Sequence, residues 1–366
     1  MASAAEPALE IPSRRDAIEE HVRAGGRIAA VYPIHYSRAL LRAFGWLPVE
    51  VWGPPGHDIS LGDAELQAYT CSIVRAGLAF LRSGGLRAAD LIVVPHGCDS
   101  LQGLGSLLID FLDPGKPVLP LYLPRGEGPA ACDFLTEELG AMRRRLSDHG
   151  GRSPSDDELR LAIEREEAAD RELACLHDER AWLALSDRDF YRLVRSREYL
   201  PAERFAAIAR SALAHKLAAR RPGVPVLLSG VLPEPMALLD TIDEAGGLVV
   251  GDDLICTGRR LYRAGQSAEP LRRMAESLLA APPDSTRGSS LDARVAHLRA
   301  LAARSGARAA AFLVVKFCEP EQFYLPTLRR ALEADGLACA TVELDVSELM
   351  SGQLATRLEA LLEMVR

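Results

Sequence analysis

The 366-residue chain has no apolar run close to the roughly 20 residues that a membrane helix requires. Its longest runs, such as Leu91–Pro95 and Ala309–Val315, are of strand length. An excess of positive charge is missing as well. Lys and Arg number 43 against 51 Asp and Glu, a formal charge of −8, which argues against nucleic acid as a partner held by charge. Residues 1–13 contain Glu6 and Glu10 where a secretory signal has a basic start and an apolar centre, so the expected compartment is the cytoplasm. Cysteine is scarce and odd in number, seven in all, which is no disulfide framework. There is no C-x2-C pair and no H-x3–5-H pair, the usual halves of a structural zinc site. No repeat of fixed period and no low-complexity tract is present. What remains is a globular chain, 48% hydrophobic and long enough for two cores.

Short apolar runs alternate with helical patterns. The strand candidates are Arg27–Tyr32, Val49–Trp52, Asp90–Pro95, Pro117–Leu123, Val224–Ser229, Leu248–Gly251, Ala309–Phe317 and Ala338–Leu344, each suited to a parallel strand buried on both faces. This rhythm predicts an α/β fold. Between Ala131 and Arg221 the apolar residues recur at helical spacing amid charges, from Phe134 and Leu135 to Leu213 and Leu217. The expected layout is an N-terminal segment (1–26), a first α/β domain (27–130), a helical block (131–221) and a second α/β domain (222–366). Pro222-Gly223 marks the last boundary. Residues 281–290 gather Pro, Ser, Thr and Gly and predict an exposed, mobile loop.

Three cysteines stand where α/β sheets bind ligands. Cys98 and Cys318 each follow a predicted strand, at the carboxyl edge of the sheet. Cys71 opens a helix predicted to run to Leu81, where exposed N–H groups favour a thiolate. Packing is the competing reading for any one of them, because free cysteine is among the most buried residue types. It is the favoured reading for Cys132, Cys175 and Cys339; Cys256 also follows a strand. The three lie 27 and 220 residues apart, which suits an iron–sulfur cluster, whose irons need thiolates with no local spacing rule, better than zinc.

Four segments in order carry a resemblance: GDAELQAYTCSIVRA at 62–76, PHGCD at 95–99, GDDLICTGRR at 251–260 and KFCEP at 316–320, with VYPIHY at 31–36 ahead of them. Together they resemble the 2-hydroxyacyl-CoA dehydratase and benzoyl-CoA reductase family, most closely its smaller subunit, from about residue 27 to the C-terminus. The resemblance implies two Rossmann-like or flavodoxin-like parallel-sheet domains, and a [4Fe–4S] cluster held by Cys71, Cys98 and Cys318 with a fourth iron free of cysteine. It further implies single-electron ketyl chemistry on an acyl-CoA thioester, a paralogous second subunit, and a separate ATP-hydrolysing activator. The chain itself has no G-x-x-x-x-G-K-[ST] motif, in keeping with ATP being handled elsewhere. Two alternatives keep the cluster: a double-cubane protein reducing small molecules, and a relay or binding protein without turnover.

Other residues have weaker claims. His35 and His96 lie near strand ends and are candidate proton donors, with a structural hydrogen-bonding role as the competing reading. Cys256 reads as packing or support of its motif rather than as a further ligand. Asp252 and Asp253 are expected to cap the segment that follows, or to orient a guanidinium such as Arg259. Arg143–Arg145 reads as a solvated helix face. A subunit of this kind should leave apolar surface exposed, on the helical block or beside the Cys71 helix.

Overall fold

The computed structural model of the chain describes residues 10–366. Residues 1–9 of the predicted N-terminal segment lie outside the described part. Arg14–Arg23 form a helix capped by the Ser13 side chain. The described residues form two four-stranded, all-parallel sheets. The first contains β1 (Arg27–Val31), β2 (Trp46–Glu50), β3 (Leu91–His96) and β4 (Val118–Tyr122). The second contains β5 (Val224–Gly230), β6 (Gly247–Leu254), β7 (Ala309–Val315) and β8 (Ala338–Leu344). Their orders are β2-β1-β3-β4 and β6-β5-β7-β8, so the same flavodoxin-like winding occurs twice. β3 and β7, which precede Cys98 and Cys318, hold equivalent places.

The inner strands form where the apolar runs are continuous, because helices cover both faces of each sheet there, while the edge strands β4 and β8 are only partly buried. β2 starts at Trp46, three residues earlier than expected, after Gly45 closes the preceding helix at φ 83°. β6 runs three residues beyond Gly251, through Asp252 and Asp253, and every residue of it is buried. The helices of the central block lie at Pro129–Gly150, Asp156–Glu179, Asp187–Arg195 and Ala202–Leu213. The last ends before Leu217, whose N–H donates to Trp182 O at 2.7 Å. Leu135, Leu139, Met142, Leu146, Leu159 and Ile163 of the first two pack with Leu119 and Leu121 of β4 and with Phe44 and Trp46. Met274 and Leu278 from the helix Pro270–Leu279 join the same cluster, so the second half reaches back onto the first.

A second apolar cluster runs continuously from Ile28 and Ile92 of the first sheet through Cys71 and Cys318 to Leu228 and Leu313 of the second. Buried charge also joins the halves. Glu50, at the end of β2, accepts from Arg260 Nη1 at 2.8 Å and Nη2 at 2.5 Å. Two guanidiniums, Arg260 and Arg38, hold the Glu50 carboxyl below its ordinary value against the opposing effect of burial.

The segment 281–290 corrects the expectation of an exposed loop. Asp284, Ser285, Thr286 and Ser289 are all buried. Asp284 Oδ1 accepts from the Thr286 N–H at 2.7 Å and Asp284 N donates to Ser289 Oγ at 3.0 Å. Arg287 donates to the carbonyls of Leu278, Ala281 and Pro282, and Ser285 Oγ donates to Glu321. Turn-forming residues dictate an irregular backbone, and side chains that satisfy that backbone let it be buried.

Candidate functional site

Cys71, Cys98 and Cys318 line one cavity of about 470 Å³, its open mouth included. Much of its wall is built from residues at or just beyond strand ends. Pro33 and Ile34 come after β1, Trp52 after β2, Gly97 and Cys98 after β3, Val231 after β5, Ile255 after β6 and Cys318 after β7. The cavity therefore sits between the carboxyl edges of both sheets, where each winding reverses direction and ligands bind in such folds.

Each of the three cysteines is the N-cap of a helix: Cys71 of Ser72–Arg82, Cys98 of Asp99–Ser106 and Cys318 of Glu319–Ala334. Helix N-termini carry unpaired N–H groups and the positive end of the helix dipole. The N–H groups of Ile73 and Val74 favour a thiolate at Cys71, and those of Ser100 and Leu101 favour one at Cys98, although neither side chain makes a cap hydrogen bond. Gly62 lets the first of these helices sit where it does: a Cβ there would lie 2.2 Å from the Arg75 carbonyl oxygen.

The thiols influence one another. A hydrogen bond from Cys318 lowers the Cys71 pKa, while the same bond and burial raise that of Cys318 well above the ordinary thiol value. Apolar surroundings push Cys98 up to about 12. Among the described residues no charged side chain lines the cavity. Three thiolates together would therefore require a positive centre brought in from outside the chain. The donor set is soft sulfur, the kind that selects zinc, copper(I) or iron–sulfur centres. Among the described residues, no three His, Cys, Asp or Glu side chains converge on a single point as one ion requires. Ligands of a cluster bind separate irons and need no such point, so the residues fit that group.

The remaining candidates fall elsewhere. Neither His35 nor His96 lines the cavity. His35 is buried behind it, Nε2 3.3 Å from Thr286 Oγ1 and 3.5 Å from Asp284 Oδ2, and burial lowers its pKa against the pull of Asp284. His96 packs edge-on against Tyr122, ring centroids 4.6 Å apart, and burial lowers its pKa too. Cys256 is buried in the core beside Thr257, away from the cavity. Cys132 and Cys339 are buried and Cys175 is exposed.

Asp252 does cap a turn, accepting from the N–H groups of Leu254 and Gly258, and it also pairs with Arg180 at 2.7 Å. Gly258 is needed there, since a Cβ would lie 2.1 Å from Asp252 O. Asp253 takes the other expected role, not capping but orienting Arg259, and it also holds Arg294; both arginines are fully buried. In the arginine run, Arg143 and Arg145 are part-buried and donate to the carbonyls of Pro154 and Pro120. Sequence reasoning missed Trp52 and Thr286 on the cavity wall. The signal for Trp52 was its place directly after a strand; Thr286 offered none, because its segment read as exposed.

Fold and site define a doubly wound, two-sheet α/β protein with a three-cysteine cleft between its sheets. The model of the family "2-hydroxyglutaryl-CoA dehydratase, D-component" matches residues 33–365, and the chain belongs to that family. It is 26% identical over 350 residues to the lactoyl-CoA dehydratase subunit beta of Anaerotignum propionicum, covering 93% of this chain and 92% of that one. It is 23% identical over 360 residues to the (R)-phenyllactyl-CoA dehydratase beta subunit of Clostridium sporogenes, covering 94% of each. Its identity to the (R)-2-hydroxyglutaryl-CoA dehydratase subunit beta of Acidaminococcus fermentans is 24% over 360 residues, 93% of this chain and 92% of that one. Among the described residues no helix is long and apolar enough to cross a membrane.

Proposed function

We propose that this chain is the iron–sulfur subunit of a 2-hydroxyacyl-CoA dehydratase, with Cys71, Cys98 and Cys318 holding a [4Fe–4S] cluster. The observation that carries the reading is the convergence of three helix-capping thiols on one uncharged cavity between two sheet edges. The printed names of the relatives, all dehydratase subunits, favour dehydration of a 2-hydroxyacyl-CoA over ring reduction. When bound, the cluster supplies a low-potential single electron for ketyl chemistry on an acyl-CoA thioester.

The chain's own residues do the rest. Helix-terminal N–H groups stabilise negative charge on sulfur, which raises cluster potential relative to a bare thiolate site. Ile73, Val74, Leu101, Val231 and Ile255 keep water from the cavity, and the Glu50–Arg260 bond holds the two sheet edges in register across it. Partners are a paralogous second subunit and an ATP-hydrolysing activator. Tyr69, Phe317 and Phe323 are exposed within five residues of Cys71 or Cys318, the apolar surface a partner would cover. Anaerobic co-purification with the second subunit, followed by an assay of activator-dependent 2-hydroxyacyl-CoA consumption, tests the reading. About four irons in this chain with turnover supports it; about eight irons and no acyl-CoA consumption favours the double-cubane alternative.

A further inference from the structure

We propose that a second, larger cavity takes the pantetheine arm of the acyl-CoA and directs its thioester towards the cysteines. The inference rests on the acyl-CoA reading above and adds to it a place on this chain. The cavity measures about 1080 Å³, its open mouth included, against about 470 Å³ for that of the cysteines. Trp52 lines both, so the two meet at its indole. That position is built locally. Gly53, at φ 78°, lets the chain after β2 press against the Cys71 helix, where a Cβ would lie 2.6 Å from the Ala76 Cβ. The indole Nε1 is fixed by Glu50 Oε2 at 3.0 Å.

The wall suits a long, mainly apolar ligand. Pro12, Val51, Pro54, Phe80, Tyr199 and Met236 supply apolar surface to a concave site. Tyr199 Oη donates to Pro12 O at 2.9 Å and ties two sides of it together. The charges on this wall are largely spent on one another. Arg195 donates to Glu198 Oε1 at 2.7 Å and to Glu234, Arg14 donates to Glu198 and to the Glu50 carbonyl, and the Glu50 carboxylate is held by Arg260.

Arg192 is different. Its side chain is 55% exposed, and among the described residues its partner is Asp189 at 3.0 Å, an exposed pair of the kind that contributes little. The wall therefore runs from a guanidinium in solvent to the buried indole of Trp52. An acyl-CoA has the same polarity. Its phosphates, which a guanidinium recognises, stand at one end, followed by an arm of methylene and amide groups and then the thioester. With the phosphates at Arg192 and the arm along the apolar wall, the thioester lies on the side of Trp52 that faces the cysteines. Binding makes and breaks no covalent bond.

The test is calorimetric titration of the full chain, before and after anaerobic cluster reconstitution. The probes are propionyl-CoA, which lacks the 2-hydroxyl that dehydration removes, and ADP, a nucleotide without the arm. The variants are Arg192→Glu at the rim, Met236→Trp to fill the cavity, and Arg144→Glu at an exposed arginine off the wall. Propionyl-CoA should bind wild type and Arg144→Glu alike, and Arg192→Glu and Met236→Trp about tenfold more weakly, with ADP at least about tenfold weaker than propionyl-CoA on wild type. Binding should also change tryptophan emission in wild type but not in Trp52→Phe, since Trp46 and Trp182 do not line the cavity. Absence of propionyl-CoA binding, equal affinity for ADP, undiminished affinity in Arg192→Glu, equal weakening by Arg144→Glu, or an emission change kept in Trp52→Phe overturns the proposal. Undiminished affinity in a folded Met236→Trp does the same; if circular dichroism shows that variant unfolded, Arg192→Glu decides. Binding by a chain that takes up no iron or sulfide refutes the cluster reading and leaves the cavity proposal standing, so the two failures are distinct.

Discussion

Replacing Asp253 with Asn is the sharpest stability perturbation the fold offers. Asp253 lies near the end of β6 with no solvent exposure. It accepts from Arg294 at 2.8 and 2.5 Å and from Arg259 Nε and Nη2, each at 3.3 Å. Arg259 has a second anion, Glu321, at 2.7 and 2.8 Å. Among the described residues Arg294 has no other; its remaining partner is the Pro283 carbonyl at 2.9 Å. The Asn variant therefore leaves one buried guanidinium without a counter-charge. Breaking a buried pair from one side costs about 3–5 kcal/mol, and because Asn still accepts a hydrogen bond the lower end, about 3 kcal/mol, is expected. That is more than a hundredfold in the folding equilibrium. Asp335→Asn is the control: its pair with Arg299 is solvent-exposed and should contribute about 0–1 kcal/mol. Replacing Asp253 and Arg294 together with apolar residues should recover much of the loss, because it removes both charges. Urea unfolding followed by circular dichroism measures all of these. Equal costs at Asp253 and Asp335, or a double variant worse than the sum of its parts, would refute the reasoning.

Two further outcomes follow from the same geometry. His35 and His177 are fully buried, and burial lowers both pKa values despite nearby Asp284 and Asp252. Their folded values lie below the unfolded value of about 6.5, so the unfolded chain binds protons first, and stability present above about pH 6.5 falls as the pH drops from there towards the folded values. Unfolding between about pH 6.5 and 5 should take up protons, a window above the unfolded carboxylate values near 4, with Asp170, whose pKa burial raises, acting in the opposite sense. A flat or rising stability on acidification through that window contradicts it. Phe323→Asp, at a position 77% exposed, should weaken association with the second subunit in analytical ultracentrifugation while leaving iron content unchanged; full-strength association would place the interface elsewhere.

The inner strands were legible because a strand covered on both faces must be apolar along its length, as β3 and β7 are; the edge strand β8 carries Thr341 and an exposed Glu343 and is only partly buried. The exception is instructive. β6 continues through Asp252 and Asp253, charges that look like the end of a strand, because Arg180, Arg259 and Arg294 neutralise them in the interior. Arg180 and Arg294 stand 72 and 41 residues from their carboxylate partners, beyond any local pattern. The cysteines were legible for a related reason: strand ends point to the sheet edge whatever the distance along the chain, so Cys98 and Cys318 could be placed without their tertiary contacts. Thr286 could not. Breaker-rich composition reports backbone irregularity, whereas burial is set by whether Ser289, Arg287 and Tyr324 satisfy that backbone, and they do.

The central claim is that Cys71, Cys98 and Cys318 hold a cluster, and iron and acid-labile sulfide per chain test it most directly in wild type, Cys98→Ser and Cys175→Ser purified without oxygen. Serine keeps the volume at Cys98 but replaces a soft thiolate with a hard, poorly ionised hydroxyl, while Cys175 is exposed on a helix and does not line the cavity. The account predicts about four irons and four sulfides in wild type and Cys175→Ser, and loss of most of both in Cys98→Ser with its circular dichroism spectrum unchanged. Full iron and sulfide retention in Cys98→Ser, or equal loss from both variants, would contradict it.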